Sequence, residues 1–312
     1  MSARTAAPDL LLRIAERRRE RLAEYRGRHP SAAGDAGPAA PSAAGAAPDS
    51  AAWPAASRES EPEAEPELLS PGDNAFLAAL AHPSRGAAPP QGIPPAPAII
   101  AEVKLGSPRL GSLHGRLDPV AQARIYAENG AAALSVVVEP DFFHGGYDLL
   151  ADCRAASGLP AVAKDFVVDP LQLAWARGAG ADAVLLIAAL FEPDELARYA
   201  RLARGLGLAP LVETHDAADL ALLAGLPWEL VGVNNRDLRT FEVDLERSIA
   251  LVPSLPPQAL KVAESGIRDA LDVALLADSG FDALLIGESL LLAADPAAKL
   301  RALLGAREAR DV

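Results

Sequence analysis

The stretch Ala98-Ile99-Ile100-Ala101-Glu102-Val103-Lys104 decides how the chain folds. Its apolar, partly β-branched run predicts a buried strand, and charged residues enter only toward its carboxyl end. Seven further short apolar runs follow along the chain, separated by longer helical patterns. Strands that alternate with helices indicate a parallel sheet that is covered by those helices.

The number and spacing of these runs distinguish between two kinds of parallel sheet. The strand candidates are residues 98–104, 132–138, 160–164, 182–187, 209–213, 229–234, 259–264 and 282–286. The helical patterns between them include residues 119–129, 170–179, 193–205, 216–224 and 270–279. Several of these open with Asp-Pro or Glu-Pro, which is typical of a helix start. Eight units in about 210 residues predict a closed (β/α)8 TIM barrel, because an open doubly wound sheet typically has fewer strands.

Upstream of the barrel the chain changes character twice. Apolar residues recur near helical spacing over residues 9–28, which predicts an extra amphipathic helix. Residues 30–72 are rich in Ala, Pro, Ser, Gly and Glu, so they cannot bury enough apolar surface to fold. We therefore expect an amino-terminal helix that packs on the barrel (residues 1–29), a disordered acidic linker (30–72) and a catalytic barrel (73–312).

The composition narrows the choice of ligands and location. Acidic residues outnumber basic ones by 42 to 29, so general affinity for nucleic acid or an anionic membrane is not expected. Cys153 is the single cysteine, which excludes an intramolecular disulfide, and the histidines show no metal-ligand spacing. The longest apolar run, residues 183–191, is too short to span a membrane, and the amino terminus lacks a signal-peptide pattern. These features predict a cytoplasmic protein without metal or cofactor.

Polar side chains stand where the predicted strands end. In a barrel of this kind the active site is built from the carboxyl ends of the strands and the loops that follow them. A single strand that ends in Lys or Glu usually just reaches water, but the convergence of many such ends on one rim indicates a site. The polar groups at these ends are Glu102, Lys104, Lys164, Glu213, Asn234, Arg236 and Glu264.

Two of the loops offer a place for a phosphate. Ser265 and Gly266 follow the seventh predicted strand, and Gly287 and Glu288 follow the eighth. Loops at these two positions commonly form the phosphate site of this fold, because small residues let backbone N–H groups approach the oxygens. The carboxylate of Glu288 has the wrong charge for this role, so we assign its backbone amide and not its side chain.

Six segments of the chain stand in an order that carries a resemblance. They are IIAEVK at 99–104 with Ser107-Pro108, EPDFFHGG at 139–146, KDFVVDP at 164–170, LVETH at 211–215, VNNRDLRTF at 233–241 and ESGI at 264–267. Together they resemble the indole-3-glycerol-phosphate synthase family of tryptophan biosynthesis. The helix over residues 9–28 is similar to the family's amino-terminal extension.

The resemblance implies a reaction and roles for two residues. The reaction is ring closure of an anthranilate-linked deoxyribulose phosphate, with loss of carbon dioxide and water, to give indole-3-glycerol phosphate. Lys164 would protonate the substrate carbonyl as general acid, and a cation-rich, partly desolvated site would lower its pKa. Glu213 would handle a proton in the later dehydration.

The resemblance also implies contacts around these two groups. Lys104, held by Glu102, would pair with the substrate carboxylate or take part in the dehydration, while Asn234 and Arg236 would orient polar groups. With the phosphate loops described above, the expected substrate and phosphate contacts are Ser107, Phe143, Phe166, Leu185, Leu238, Glu264, Ser265, Gly266, Gly287 and Glu288, and the resemblance implies that the aromatic and leucine side chains wall the ring.

Some positions beside the implied catalytic residues depart from the family's pattern. Leu105 and Arg109 stand where a basic residue and a serine are usual, and Ala163 replaces a larger residue. Because these positions neighbour the catalytic ones without occupying them, they bear on substrate affinity or loop motion more than on the type of reaction.

Two other interpretations stay open. One is another phosphate-binding barrel, an isomerase of the tryptophan or histidine pathways, which would be expected to use a Cys/Asp or Asp/Asp pair. The other is a non-catalytic paralogue that binds a phosphorylated ligand. In each case the expected partner is a small phosphorylated molecule, and contact with other enzymes of tryptophan synthesis is left open.

Overall fold

The strands lie where the sequence predicts them. A computed structural model describes residues 9–28, 67–81, 96–108, 111–113, 118–237, 240 and 242–305. Its barrel strands are β1 (Ala98–Val103), β2 (Ala133–Val137), β3 (Ala161–Lys164), β4 (Ala183–Ile187), β5 (Ala209–Thr214), β6 (Leu230–Asn234), β7 (Leu260–Glu264) and β8 (Ala283–Ile286). Each pairs in parallel with the next, and β8 pairs with β1, which confirms the (β/α)8 barrel.

Helices flank the strands and cover both ends of the barrel. They are α1 (Asp9–Arg28), α2 (Ala75–Ala81), α3 (Pro119–Glu128), α4 (Tyr147–Ser157), α5 (Pro170–Gly178), α6 (Pro193–Gly205), α7 (Ala217–Ala221), α8 (Leu245–Leu251), α9 (Ala270–Asp278), α10 (Glu288–Leu291) and α11 (Pro296–Leu304). Asp118, Asp169 and Asp295 each cap a helix that has a proline in its first turn. Within the described ranges no helix is both long and apolar enough to cross a membrane.

Every second residue of a strand points into the barrel, so the inward side chains of one strand lie at successive depths between the two ends of the barrel. On β5 these are Ala209, Leu211 and Glu213, which run from a small residue through an apolar one to a carboxylate. On β1, likewise, Ala98 is followed by Ile100 and then by Glu102. The active-site groups therefore rest on a packed apolar layer.

The amino-terminal end of the barrel is closed by α2, which the sequence did not single out. Its Phe76 and Leu77 are buried in the same cluster as small residues near the strand starts. Asn74 fastens this helix, because its Oδ1 accepts from the Phe76 and Leu77 amides at 3.0 and 3.1 Å, and its Nδ2 donates to Asp182 O at 2.8 Å. The small residues are Ala98, Ala133, Ala183, Ala209 and Ala283.

At the other end of the barrel α1 docks through a buried ion pair. Arg18 Nε donates to Asp165 Oδ1 at 2.9 Å, and its Nη2 contacts the second carboxylate oxygen. Tyr147 Oη and Gln172 Nε2 also donate to Asp165 Oδ2, at 2.8 and 2.9 Å. Because Asp165 directly follows Lys164, the pair connects α1 to the end of β3.

The far boundary of the predicted linker needs a correction. Residues 67–72, which the sequence assigns to it, include Leu69, whose side chain packs against the core and whose N donates to Glu229 Oε1 at 3.0 Å. The composition of residues 30–72 as a whole does not reveal this contact, because its partner Glu229 lies 160 residues further along the chain. Residues 30–66 lie outside the described residues.

Candidate active site

The carboxyl ends of the strands surround a cavity of about 860 Å³. Glu264 is buried behind its lining, and Leu238 lies outside the described residues. The structure thus brings most of the predicted site residues together at one rim. Those that line the cavity are Glu102, Lys104, Ser107, Phe143, Lys164, Phe166, Leu185, Glu213, Asn234, Arg236, Ser265, Gly266, Gly287 and Glu288.

Lys164 is held between two carboxylates at the end of β3. Its Nζ donates to Glu264 Oε2 at 2.8 Å and lies 3.4 Å from Glu213 Oε2. Burial favours the neutral amine, but the attraction of Glu264, Glu213 and Glu102 is stronger and raises the pKa of Lys164. The expected lowering of this pKa by a cation-rich site is therefore wrong. Carboxylates surround the lysine, so it is protonated at neutral pH.

Glu213 and Glu264 share this lysine but differ in their proton affinity. Burial raises the pKa of both carboxyl groups, yet Lys164 and His215 outweigh burial at Glu213 and lower its pKa. At Glu264 burial and the repulsion of Glu213 outweigh Lys164 and raise the pKa to about 7. Glu264 Oε1 is buried and has no hydrogen-bond partner among the described residues. The arrangement favours one proton on the pair near neutral pH.

Lys104 and Glu102 form a second lysine–carboxylate pair, at the end of β1. Lys104 Nζ donates to Glu102 Oε1 at 2.6 Å. Residues two apart along a strand direction point to the same side, which brings the two side chains together. Burial raises the pKa of Glu102, but the attraction of Lys104 and Lys164 is stronger and lowers it. Glu102 is thus an anion that holds Lys104 at the cavity.

Asn234 and Arg236 extend from β6 toward the loop after β8. Asn234 Oδ1 accepts from the backbone N–H of Arg236 at 3.0 Å, which turns the chain at the rim. Arg236 Nη2 lies 3.6 Å from Glu288 Oε2. The Glu288 carboxylate is therefore directed at Arg236.

The loops after β7 and β8 lie side by side, and we call residues 265–266 and 287–288 the anion loops. Ser265 and Gly266 adopt left-handed backbone conformations, with φ of 68° and 79°, and α10 begins directly after Gly287. Ser289 Oγ donates to Ile267 O at 2.8 Å and so ties the two loops together. Turns of this kind can direct backbone N–H groups into a concave surface that suits an anion.

Packing requires glycine at both positions of the anion loops, for a reason that the sequence does not show. A Cβ on Gly266 would overlap with Val243, and a Cβ on Gly287 would overlap with the carboxylate of Glu102. Both glycines therefore accommodate neighbouring side chains, in addition to any role in admitting a phosphate.

Apolar side chains form one wall of the cavity. The Phe143 and Phe166 rings lie 5.9 Å apart, measured between centroids, and Leu185 lines the cavity with them. Leu11 and Ile14 of α1 also line it. The sequence predicts only that this helix packs on the barrel, whereas in the structure it also contributes directly to the site.

Glu139 supports the loop that carries Phe143, and sequence reasoning did not mark it. Its carboxylate accepts from the backbone N–H groups of Asp141, Phe142 and Phe143 at 2.9, 2.7 and 2.9 Å. The side chain is fully buried, and burial raises the pKa of Glu139 despite these bonds. Its position directly after the apolar run of β2 was the available signal.

His215 is a second residue to which the sequence assigned no role, although it ends the LVETH segment of the resemblance. Its Nδ1 lies 3.2 Å from Asp219 Oδ2 and its Nε2 lies 3.3 Å from Glu213 Oε1. Burial lowers the pKa of His215, but the two carboxylates are stronger and raise it to about 10. The resulting imidazolium stands behind Glu213 and favours its anionic form.

A closed barrel with lysine and carboxylate groups beside two small-residue loops defines a (β/α)8 enzyme with a proton-transfer site. Residues 90–303 match the family "Indole-3-glycerol phosphate synthase". The protein of that name from Rhodopirellula baltica is 46% identical over 206 residues, which cover 66% of this chain and 80% of the relative. The one from Variovorax paradoxus is 47% identical over 210 residues, which cover 66% of this chain and 79% of the relative. In Chlorobium chlorochromatii the identity is 42% over 233 residues (75% and 86%). The chain belongs to the indole-3-glycerol phosphate synthase family.

Solved structures of lower sequence identity share the fold. Thiamine phosphate pyrophosphorylase from Pyrococcus furiosus is 16% identical with a TM-score of 0.51, covering 69% of this chain and 96% of its own. 3-hexulose-6-phosphate synthase from Salmonella typhimurium is 15% identical with a TM-score of 0.50, and the match covers 67% of this chain and 97% of that one. Among the residues placed by the structure, no cluster of three or more His, Cys, Asp or Glu could hold a metal ion.

Proposed function

We propose that the chain closes the indole ring of 1-(2-carboxyphenylamino)-1-deoxyribulose 5-phosphate, giving indole-3-glycerol phosphate, carbon dioxide and water. The observation that carries this proposal is Lys164, a protonated lysine between Glu213 and Glu264, in a cavity walled by Phe143 and Phe166. Membership of the family supports the same reaction.

The first step forms a carbon–carbon bond between the aromatic ring and the substrate carbonyl carbon. As the ring carbon that bears the carboxylate attacks, the carbonyl oxygen becomes an alkoxide and takes a proton from Lys164 Nζ. Carbon dioxide then leaves, and the electron pair of its bond returns to the ring and restores aromaticity. Lys164 suits this role because its neighbouring carboxylates keep it charged before the substrate arrives.

The second step removes the new hydroxyl group as water. Glu213, kept anionic by Lys164 and His215, accepts the proton that leaves the five-membered ring. An ammonium group protonates the departing hydroxyl. Lys104 is the candidate donor of this proton, because its contact with Glu102 holds it at the same cavity. The alternative role for Lys104 is to pair with the substrate carboxylate before decarboxylation.

The remaining residues bind and orient the substrate. Asn234 and Arg236 face its polar groups, and the Phe143–Phe166 wall takes the aromatic ring. The backbone N–H groups of the anion loops take the phosphate. Ser107 lines the cavity, while Leu238 remains a prediction from the sequence.

The product itself tests the proposal. The purified chain is incubated with the carboxyphenylamino substrate, and the ultraviolet absorbance and fluorescence of the indole are followed together with released carbon dioxide. Indole-3-glycerol phosphate and carbon dioxide should appear in equal amounts. In a parallel incubation, turnover of a phosphoribosylamine in place of the carboxyphenylamino substrate would support the isomerase. Binding of the substrate without turnover would support the non-catalytic paralogue.

A further inference from the structure

Gly232, in the middle of β6, faces the interior of the barrel directly below the site. Its neighbours in register are Glu213 on β5 and Val262 on β7. A Cβ built on Gly232 would overlap with Glu264 Oε1 and lie 3.3 Å from Glu264 Cδ. No real side chain shares space in this way, so only glycine leaves the Glu264 carboxylate where it is.

The backbone gives no other reason for a glycine at this position. Gly232 is not among the residues with positive φ, so its conformation is open to any residue. A glycine inside a central strand weakens the sheet, because it adds backbone entropy to the unfolded chain and packs no side chain. The space taken by Glu264 therefore accounts for the glycine.

The same geometry recurs two strands further around the rim. A Cβ built on Gly287 would overlap with Glu102 Oε1 and lie 2.9 Å from Glu102 Cδ. Each of the two glycines thus leaves space for a carboxylate that accepts from a lysine of the site, Glu264 from Lys164 and Glu102 from Lys104.

We propose that Gly232 is a positioning residue: by leaving space above β6 it holds the Glu264 carboxylate in contact with Lys164. Gly287 holds Glu102 in the same way. The inference rests on the proposed function, because that contact affects turnover only if Lys164 transfers the proton. Alanine at position 232 would push the carboxylate off Lys164, and misplacement by about an ångström can lower a rate by about 10².

A double-mutant cycle separates this role from a general need for glycine in β6. We expect Gly232→Ala to lower kcat by roughly 10-fold to 100-fold, with a smaller change in KM. In a Glu264→Ala background no carboxylate remains to be displaced, so adding Gly232→Ala should change kcat by less than about twofold. Gly205→Ala is the matched control, because a Cβ there meets nothing within 4 Å.

An equal loss of kcat from Gly232→Ala in both backgrounds, or no loss in either, would overturn the proposal. If Glu264→Ala leaves too little turnover to measure, the same cycle is run on the free energy of unfolding. Gly232→Ala should then destabilise the wild type but not the Glu264→Ala variant, and equal destabilisation contradicts the proposal. A wild type that makes no indole product contradicts the proposed function, whereas the unfolding cycle still decides the role of Gly232.

Discussion

The two ends of the barrel are built from the same strands, yet their inward positions carry opposite kinds of side chain. At the amino-terminal end, alanines surround Phe76 and Leu77 of α2. At the carboxyl-terminal end, the corresponding positions carry Glu102, Lys164, Glu213 and Glu264. One end is closed by apolar packing, and the other buries charges that bind one another.

This difference shows how one fold divides stability from function. Burying charged groups costs free energy even when they are paired, so the charged end depends on apolar burial elsewhere. Conservative packing changes at the closed end should therefore alter stability without altering chemistry. Changes at the charged end should alter chemistry first.

The largest expected effect tests the closed end. Phe76→Ala removes a fully buried ring and leaves a cavity among the alanines, so it should lower the free energy of unfolding by about 3–5 kcal/mol. KM at a temperature where the variant is folded should not change. Urea unfolding measures the loss, with Leu271→Ala as control, since that side chain is 71% exposed. A changed KM would contradict the separation of the two ends.

The next effect concerns the buried Arg18–Asp165 ion pair at the charged end. Arg18→Ala leaves Asp165 buried without its cation, which should cost about 3 kcal/mol or more. It should also lower kcat, because Asp165 adjoins Lys164. Arg19→Ala is the control, since Arg19 is half exposed and pairs with Glu16 on its own helix. Equal stability of the two variants would mean that the buried pair does not anchor α1.

A smaller effect depends on pH and concerns His215. Its pKa is raised from 6.5 to about 10 in the folded chain, so its stabilising contribution is complete below pH 6.5 and is lost as the pH rises through 10. His215→Gln should therefore lower the free energy of unfolding by about 1.5–3 kcal/mol at pH 6 and by little above pH 10. Asp219→Asn should move the loss to lower pH. A pH-independent difference would contradict the ion pair with Glu213.

The smallest effect concerns Glu288, which competes with an anionic substrate for Arg236. Glu288→Gln should lower KM about threefold to fivefold and leave kcat unchanged, because a partly exposed pair is worth about 1 kcal/mol at most. Glu242→Gln makes the same charge change outside the cavity and serves as control. A raised KM would show that the carboxylate of Glu288 binds substrate.

The sequence predicts the local features of this molecule and misses the distant ones. Short apolar runs located the eight strands, and polar strand ends located the rim, because both signals lie within a few residues. The Arg18–Asp165 pair joins residues 147 positions apart, which no local pattern reveals. The direction of the Lys164 pKa was mispredicted because the sequence places carboxylates from β1, β5 and β7 at the same rim but does not give their distances from the lysine.

The central claim is that Lys164 supplies the proton for ring closure, and the turnover of Lys164→Gln tests it most directly. Glutamine can still donate a hydrogen bond toward Glu264 but has no proton to transfer at neutral pH. Measured beside its free energy of unfolding, kcat should fall by roughly 10² or more while the variant stays folded. Near-normal kcat in the folded variant would contradict the claim and move the general acid to Lys104.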